Sequence, residues 1–566
     1  MGPGGPPGSQ AAPLPSNLPF RVVSKNIGTG AYAIIRKAIP LHAAKPVIAI
    51  KFINKQHAFK QGRLTPTQLK REITLHEHLS RGCHQNIIRL LTWGEDPNWN
   101  WLAMELADGG DLFDKIEPDM GVGEDIAHFY FTQLMNAVAF MHSKGVAHRD
   151  LKPENVLLSA NGDLKLADFG LAALFEKDGQ TRLCNTVCGS PPYIAPEVVQ
   201  GKRSQRIDVL DVGYAANICD IWSCGVVLFV LLLGNTPWDE PTLESEEFVE
   251  YMETKGHPND ELWAQLPQDI LSLLLGMMEL DPRQRYTIAD IQSHPWFQRP
   301  NKYLSPSGRN ANPIGLAAEM LSQLRIDFSK PPSQTQRSVP SQDVDAMDID
   351  CSPQYTRPEN INDITTSVPI TPLTDDAAPF DWERPSTFAT FDPSTMPPPR
   401  LPASSFFQLP PSTQDALSQD PAMSQFTPTP RTQEDLITLT QAARQFRDVL
   451  PPSSFSRFLS PLSISVLVPL VVDALTRLGI PADMPDRLLI EKWEARGEAS
   501  VKVKMADPRR QALSGNVVVE RVVLDGGVGS CEVRFVKGVG DPLEWRRFFR
   551  NVVVGMGERV VMRPGR

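Results

Sequence analysis

The stretch from Val146 to Glu197 constrains this chain more than any other, with AHRDLKPENVLL followed by KLADFG at its centre. Asp150 and Asn155 sit in a polar loop, and Asp168 begins a second loop between an apolar run and a glycine. Three oxygen-bearing side chains are therefore expected to converge. One carboxylate can take a hydroxyl proton, while a carboxylate and an amide oxygen can hold a divalent cation on nucleotide phosphates. The alternative is a solvated acidic loop in an unrelated fold.

HRD at 148–150, Asn155, DFG at 168–170 and APE at 195–197 occur in the order and spacing of the protein-kinase signature. The chain resembles that family, and the resemblance implies an α+β, bilobal protein-kinase fold that uses ATP and Mg2+. Asp150, Lys152 and Asn155 are implied as the catalytic set, with Asn155 and Asp168 holding metal. IGTGAYAIIRKA brings Gly28 and Gly30 near the phosphates, with Ala33 where the family has its third glycine. Two glycines in a turn are weak evidence alone; IAIK, ending in Lys51, follows at the family's distance. Lys51 is expected to pair with a glutamate of the helical stretch TPTQLKREITLHEHLS, Glu72 being favoured over Glu77. Ile27, Ile35, Ala49, Met104 as gatekeeper, Glu105, Ala107 and Asp111 complete the implied nucleotide site, with Asp108 also at its mouth.

KPEN and Lys152 imply serine/threonine rather than tyrosine specificity. Ser190 matches the residue that bonds Asp150 and Lys152, while Glu154 and Asp111 match positions that read a substrate arginine. Asp220 is expected to anchor the HRD loop, and Arg285 to pair with Glu197. Thr186 stands where many related kinases carry an activating phosphate that Arg149 could receive. His128 and His142 read as packing or surface residues, and GKRSQRIDVLDVGYAAN is longer than the family needs.

The sequence has 566 residues and divides by charge: −8 for 1–300, −7 for 301–449 and +5 for 450–566. A basic end on an acidic chain invites an acidic partner, its own other half or an anionic surface. The seven cysteines, 83, 184, 188, 219, 224, 351 and 531, are dispersed without metal-ligand spacing, so a reducing compartment is expected. The first residues lack the charged-then-apolar pattern of a signal peptide, and the apolar runs GVVLFVLLLG and SVLVPLVV are short and read as core.

Four segments are expected: a Pro/Gly leader at 1–16, a kinase domain at 17–300, a disordered linker at 301–449 and an ordered block at 450–566. In the linker only NPIGLAAEMLSQLRIDF has helical character. It contains nine Ser/Thr-Gln pairs, at Ser322, Ser333, Thr335, Ser341, Thr413, Ser418, Ser424, Thr432 and Thr440. Composition alone gives about two or three. The last block reads as an amphipathic helix pair, several strands and a closing helix in DPLEWRRFFRNVVVGM.

TRLCNTVCGSPPY, WDEP and GGDLFDKI, with GDPLEWRRFF near the end, resemble the checkpoint kinase 1 family. That likeness implies a small α+β kinase-associated 1-type domain at the C-terminus that restrains catalysis, with Arg509, Arg510, Arg546, Arg547 and Arg550 as its basic face. It further implies DNA-damage kinases of the phosphatidylinositol-3-kinase-like family acting on the linker. Arg-directed protein substrates, no direct nucleic-acid contact and residence in nucleus and cytoplasm follow from the same likeness. Two rivals are an AMP-activated or polarity-type kinase, and a pseudokinase scaffold whose tail binds anionic membranes.

Overall fold

The computed structural model describes residues 14–15, 18–29, 33–43, 45–60, 64–200, 213–258, 261–323, 328, 456–507, 512–523 and 529–561. The leader to 13, Gly30, the inserted stretch 201–212, Arg509, Arg510 and every Ser/Thr-Gln pair except Ser322 lie outside them.

Five antiparallel strands form the smaller lobe: β1 (Phe20–Thr29), β2 (Ala33–Pro40), β3 (Ile48–Asn54), β4 (Leu90–Glu95) and β5 (Trp99–Glu105). Their order is β1-β2-β3-β5-β4, which puts β3 at the centre. Lys51 sits opposite Ile35 on one side and Leu102 on the other, and Ala49 sits opposite Met104. Helix α1 (Pro66–Ser80) starts where the sequence asks it to. The Thr65 hydroxyl accepts from the Gln68 amide, the Gln68 side chain accepts from the Thr65 N–H, and Pro66 fills the first turn.

The helical lobe is built around α2 (Glu124–Ser143) and α3 (Ala216–Leu233). Among the described residues α3 alone is long and apolar enough to cross a membrane, and 83% of it is buried inside this lobe. It is core, as its apolar run suggested. Gly234 ends α3 at φ 68°, and a Cβ there would stand 2.3 Å from the Glu117 carbonyl. Only glycine lets the loop carrying Glu117 and Asp119 lie this close to Asn235.

The packed helical lobe extends past residue 300. Residues 301–323 continue across the helical lobe, ending in α4 (Pro313–Gln323). Leu316, Ala317 and Met320 join the lobe's core, and Lys302 and Tyr303 both bond Glu319. The helix that composition left without a partner buries its apolar side here, so residues 301–323, expected as part of a disordered linker, are packed on the kinase lobe. Ser322 therefore belongs to α4 rather than to a loop. Phe328 packs instead against the core of the C-terminal domain.

Among the described residues, that domain is a four-stranded antiparallel sheet with three α-helices. Strands β6 (Arg457–Ser460), β7 (Glu498–Ala506), β8 (Ala512–Val523) and β9 (Gly529–Val539) run in the order β6-β9-β8-β7. Helices α5 (Ile464–Arg477) and α7 (Pro542–Met556) bury Val468, Val471, Phe548, Phe549 and Val552 against the sheet. α6 (Arg487–Arg496) has no buried residue. The expected helix pair at its start is corrected to a strand and a single helix. Ser460 and Pro461 break the periodicity, while Pro469 is tolerated within α5.

Candidate active site

β3 delivers Lys51 into the cleft between the lobes. Its ammonium lies 2.8 Å from Glu72 Oε1 and 3.2 Å from Asp168 Oδ1. Glu77, the alternative, instead accepts from the Trp93 indole at 2.9 Å. Glu72 is buried at 3% exposure, so it depends on Lys51 for compensation. Lys51 foremost holds the Asp168 carboxyl below its ordinary range, so it is ionised at neutral pH.

Asp168 has φ 61° and Arg149 φ 66°, conformations rare for residues with a Cβ. The first is held by its neighbour: Phe169 is buried, its ring tilted against His76 and His148 at 4.7 and 5.5 Å between ring centres. The second is held by Asp220, whose carboxylate accepts from the backbone N–H of His148 and of Arg149, both at 2.8 Å. This is the anchoring expected of Asp220. His142 also bonds Asp220, at 2.9 Å, and His128 bonds the Phe297 carbonyl at 3.0 Å. Both histidines are structural, as expected.

Around Asp150 the contacts close a triangle. Lys152 Nζ lies 3.0 Å from Asp150 Oδ2 and donates to Ser190 Oγ at 2.5 Å, while Ser190 donates to Asp150 Oδ1 at 2.9 Å. Burial opposes the charge of Lys152, but Asp150 and Glu154 outweigh it and hold its pKa above the usual value. Asn155 donates to the Asp150 carbonyl at 2.8 Å, which leaves its amide oxygen for a cation. Asp168 and Asn155 thus present hard oxygen donors suited to a divalent ion, with Lys51 beside them.

Met104 lies between Ala49 on β3 and Leu90 on β4, at the back of the cleft. The Glu105 amide donates to the Arg89 carbonyl, and its carboxylate pairs with Lys165 at 2.6 Å, so that side chain faces the helical lobe. Gly28 pairs with Ile35 across β1 and β2, and Ile27 precedes it, so both roof residues are brought over Lys51. Asp108 approaches Lys37 at 3.9 Å, and Asp111 pairs with Leu157 across the cleft mouth. Arg285 is bidentate on Glu197, at 2.6 and 3.0 Å, with its guanidinium 5.0 Å over Trp222.

A model of the protein kinase domain matches residues 21–297. Serine/threonine-protein kinase chk1 of Schizosaccharomyces pombe is 35% identical over 548 residues, covering 96% of this chain and 98% of that protein. The chain belongs to the checkpoint kinase 1 family of serine/threonine kinases. The CHK1 kinase of Saccharomyces cerevisiae is 41% identical over 323 residues, 57% of this chain and 59% of that protein. The CHK1 kinase of Mycosarcoma maydis is 32% identical over 532 residues, 80% and 76% of the two chains. As a serine/threonine kinase this family member uses ATP and a divalent metal, and the pseudokinase reading falls.

Sequence reasoning missed the other face of the helical lobe. Arg546 reaches Glu117 Oε2 at 2.9 Å with both residues buried, and Arg547 and Arg550 each reach Asp119 at 2.9 Å. Arg547 also bonds Asn235. Leu543 of α7 joins the kinase core. Burial works against ionisation of Asp119, but Arg547, Arg550 and Asn235 outweigh it and keep its carboxyl below the usual range. Three of the five predicted basic-face residues are thus brought together. No motif marks Glu117, Asp119 or Asn235; only the excess acidity of residues 1–300 hinted at them.

Proposed function

We propose that this chain transfers the γ-phosphate of ATP to serine or threonine in Arg-directed protein substrates. It serves as a DNA-damage checkpoint effector that is restrained by its own C-terminal domain and released by phosphorylation after residue 300. The observation that carries the chemistry is the Lys152–Ser190–Asp150 triangle, set beside an intact Lys51–Glu72 pair. Asp150 orients the substrate hydroxyl and receives its proton late, since an aspartate is a weak base at neutral pH. Lys152 neutralises the group in transfer, and Ser190 holds both in place. Mg2+, held by Asp168 and Asn155, would neutralise phosphate charge when bound.

What supports restraint is where α7 lands. One Glu154 carboxylate oxygen is buried without a hydrogen-bond partner. Burial foremost pushes the Glu154 pKa up to about 7, against Lys152, with Asp541 and Lys537 of the C-terminal domain also acting on it. The acid expected to read a substrate arginine therefore lies close enough to the domain that carries Arg546 to feel the charges of Asp541 and Lys537. Phosphates placed after residue 300 would each add about −1.5 to −2 charges near an arginine-to-carboxylate interface. Residence in nucleus and cytoplasm accords with this reading.

The test is the initial rate on a peptide with arginine three residues before serine, comparing full length, residues 1–323 and Asp150→Ala. The proposal expects 1–323 to exceed full length and Asp150→Ala to lose about three orders of magnitude. Equal rates for full length and 1–323 would remove restraint from the account.

A further inference from the structure

The inserted stretch before α3 returns to the described structure at Gly213, and its next residue, Tyr214, meets the activation segment. Tyr214 and Cys184 exchange backbone hydrogen bonds in both directions, at 2.8 and 2.9 Å. A Cβ on Gly213 would fall 2.9 Å from the Cys184 carbonyl, so the close backbone approach favours glycine there. The Tyr214 hydroxyl donates to the Thr186 carbonyl at 2.6 Å and accepts from Arg149 Nη1 at 3.2 Å. Arg149 Nε is taken by the Leu171 carbonyl at 2.8 Å. Burial pushes the phenol far above its ordinary pKa, which keeps it a donor at any physiological pH.

We infer that Tyr214 is a positioning residue for phosphoryl transfer, its hydroxyl tying Arg149 of the HRD loop to Thr186 of the activation segment. The path to the reacting groups is short. From Thr186 the chain passes Cys188, whose sulfur lies 3.9 Å from the same hydroxyl, and Gly189 at φ 118°, and reaches Ser190 on Asp150 and Lys152. Arg149 is followed directly by Asp150. One phenol thus joins the two strands of chain that Ser190 bridges. A phosphate on Thr186, if added, would find two donor groups of Arg149 already engaged, so the ordered segment does not wait for it.

Removing the hydroxyl leaves Arg149 and the Thr186 carbonyl each short of a partner while keeping the ring. Such a change to a bond with a charged group is worth about tenfold in equilibrium. Full-length Tyr214→Phe is expected to raise KM for a serine peptide about tenfold, with KM for ATP within about twofold of wild type, because Lys51 and Glu72 lie elsewhere. Amides of 186–190 should exchange faster with deuterium, while those of α3 stay protected. Adding Thr186→Glu should recover peptide KM in the Tyr214→Phe background and change little in the wild type, since there the Tyr214 hydroxyl already ties Thr186 to Arg149.

Unchanged peptide KM and exchange in Tyr214→Phe would overturn the inference. So would a fall in unfolding midpoint that moves both KM values together and resists Thr186→Glu, because that is a packing defect. Recovery of peptide KM by Thr186→Glu sustains the inference even if the single variant is less stable.

Discussion

In the cleft Lys51 reaches Glu72 across 21 residues of sequence and Asp168 across 117, whereas at the tail contact Arg546 reaches Glu117 across 429. Both are buried or half-buried ion pairs, but the cleft residues sit in strings whose spacing is fixed by the chemistry. Glu117, Asp119 and Asn235 sit in loops around Gly121 and Gly234, positioned by a close backbone approach. The first region must be assembled for any turnover. The second needs only to hold one domain against another, and a different set of charges on the same surfaces would do that.

The difference predicts how each region fails. Glu72→Gln leaves Lys51 without its buried partner, and steady-state assays should show about a hundredfold loss in kcat/KM, in full length and in 1–323 alike. A loss confined to full length would make the cleft pair part of the restraint. Glu154→Gln belongs to both regions. On residues 1–323 it should cost about tenfold for a peptide with arginine three residues before serine, and almost nothing for one with alanine there. Equal losses on the two peptides would take Glu154 out of substrate reading.

A smaller effect separates the cleft's scaffold from its charges. Burial lowers the pKa of His76 to about 4, while its ring bonds the Ile88 carbonyl at 2.8 Å and packs at a tilt on Phe169. The folded pKa lies below the unfolded value of 6.5, so the unfolded state binds more protons between the two. Stability should therefore rise with pH from about 4 to 6.5, by at most about 3 kcal/mol, and level off above. Denaturant titrations across that window should show the rise in wild type and a flatter line in His76→Gln; identical slopes would assign the pH dependence to other groups.

The cleft was legible because Asp150, Lys152, Asn155, Asp168 and Lys51 each stand in a motif that tolerates little else. Even the choice of Glu72 over Glu77 came from the family likeness, and Lys51 does meet Glu72 while Glu77 turns to Trp93. The buried α3 was legible from its apolar length, and the two-lobed fold from the family likeness. Residues 301–323 were not, because a polar, proline-bearing stretch carries no sign of the surface it will cover; Leu316 and Met320 become core only against Tyr130 and its neighbours. Tyr214 was hidden for a related reason: its value lies in the carbonyl of Thr186 and the guanidinium of Arg149, neither of which sequence places beside it. The three arginines of α7 were readable as a basic face. Their partners were not.

The most direct measurement on restraint is the rate of peptide phosphorylation by full-length Arg546→Glu/Arg547→Glu/Arg550→Glu beside full-length wild type and residues 1–323. Reversal of three charges against Glu117 and Asp119 should raise the rate to that of 1–323, since a buried pair turned repulsive costs more than about 3 kcal/mol. A triple variant that stays folded and as slow as wild type, while 1–323 is fast, would contradict this contact as the means of restraint.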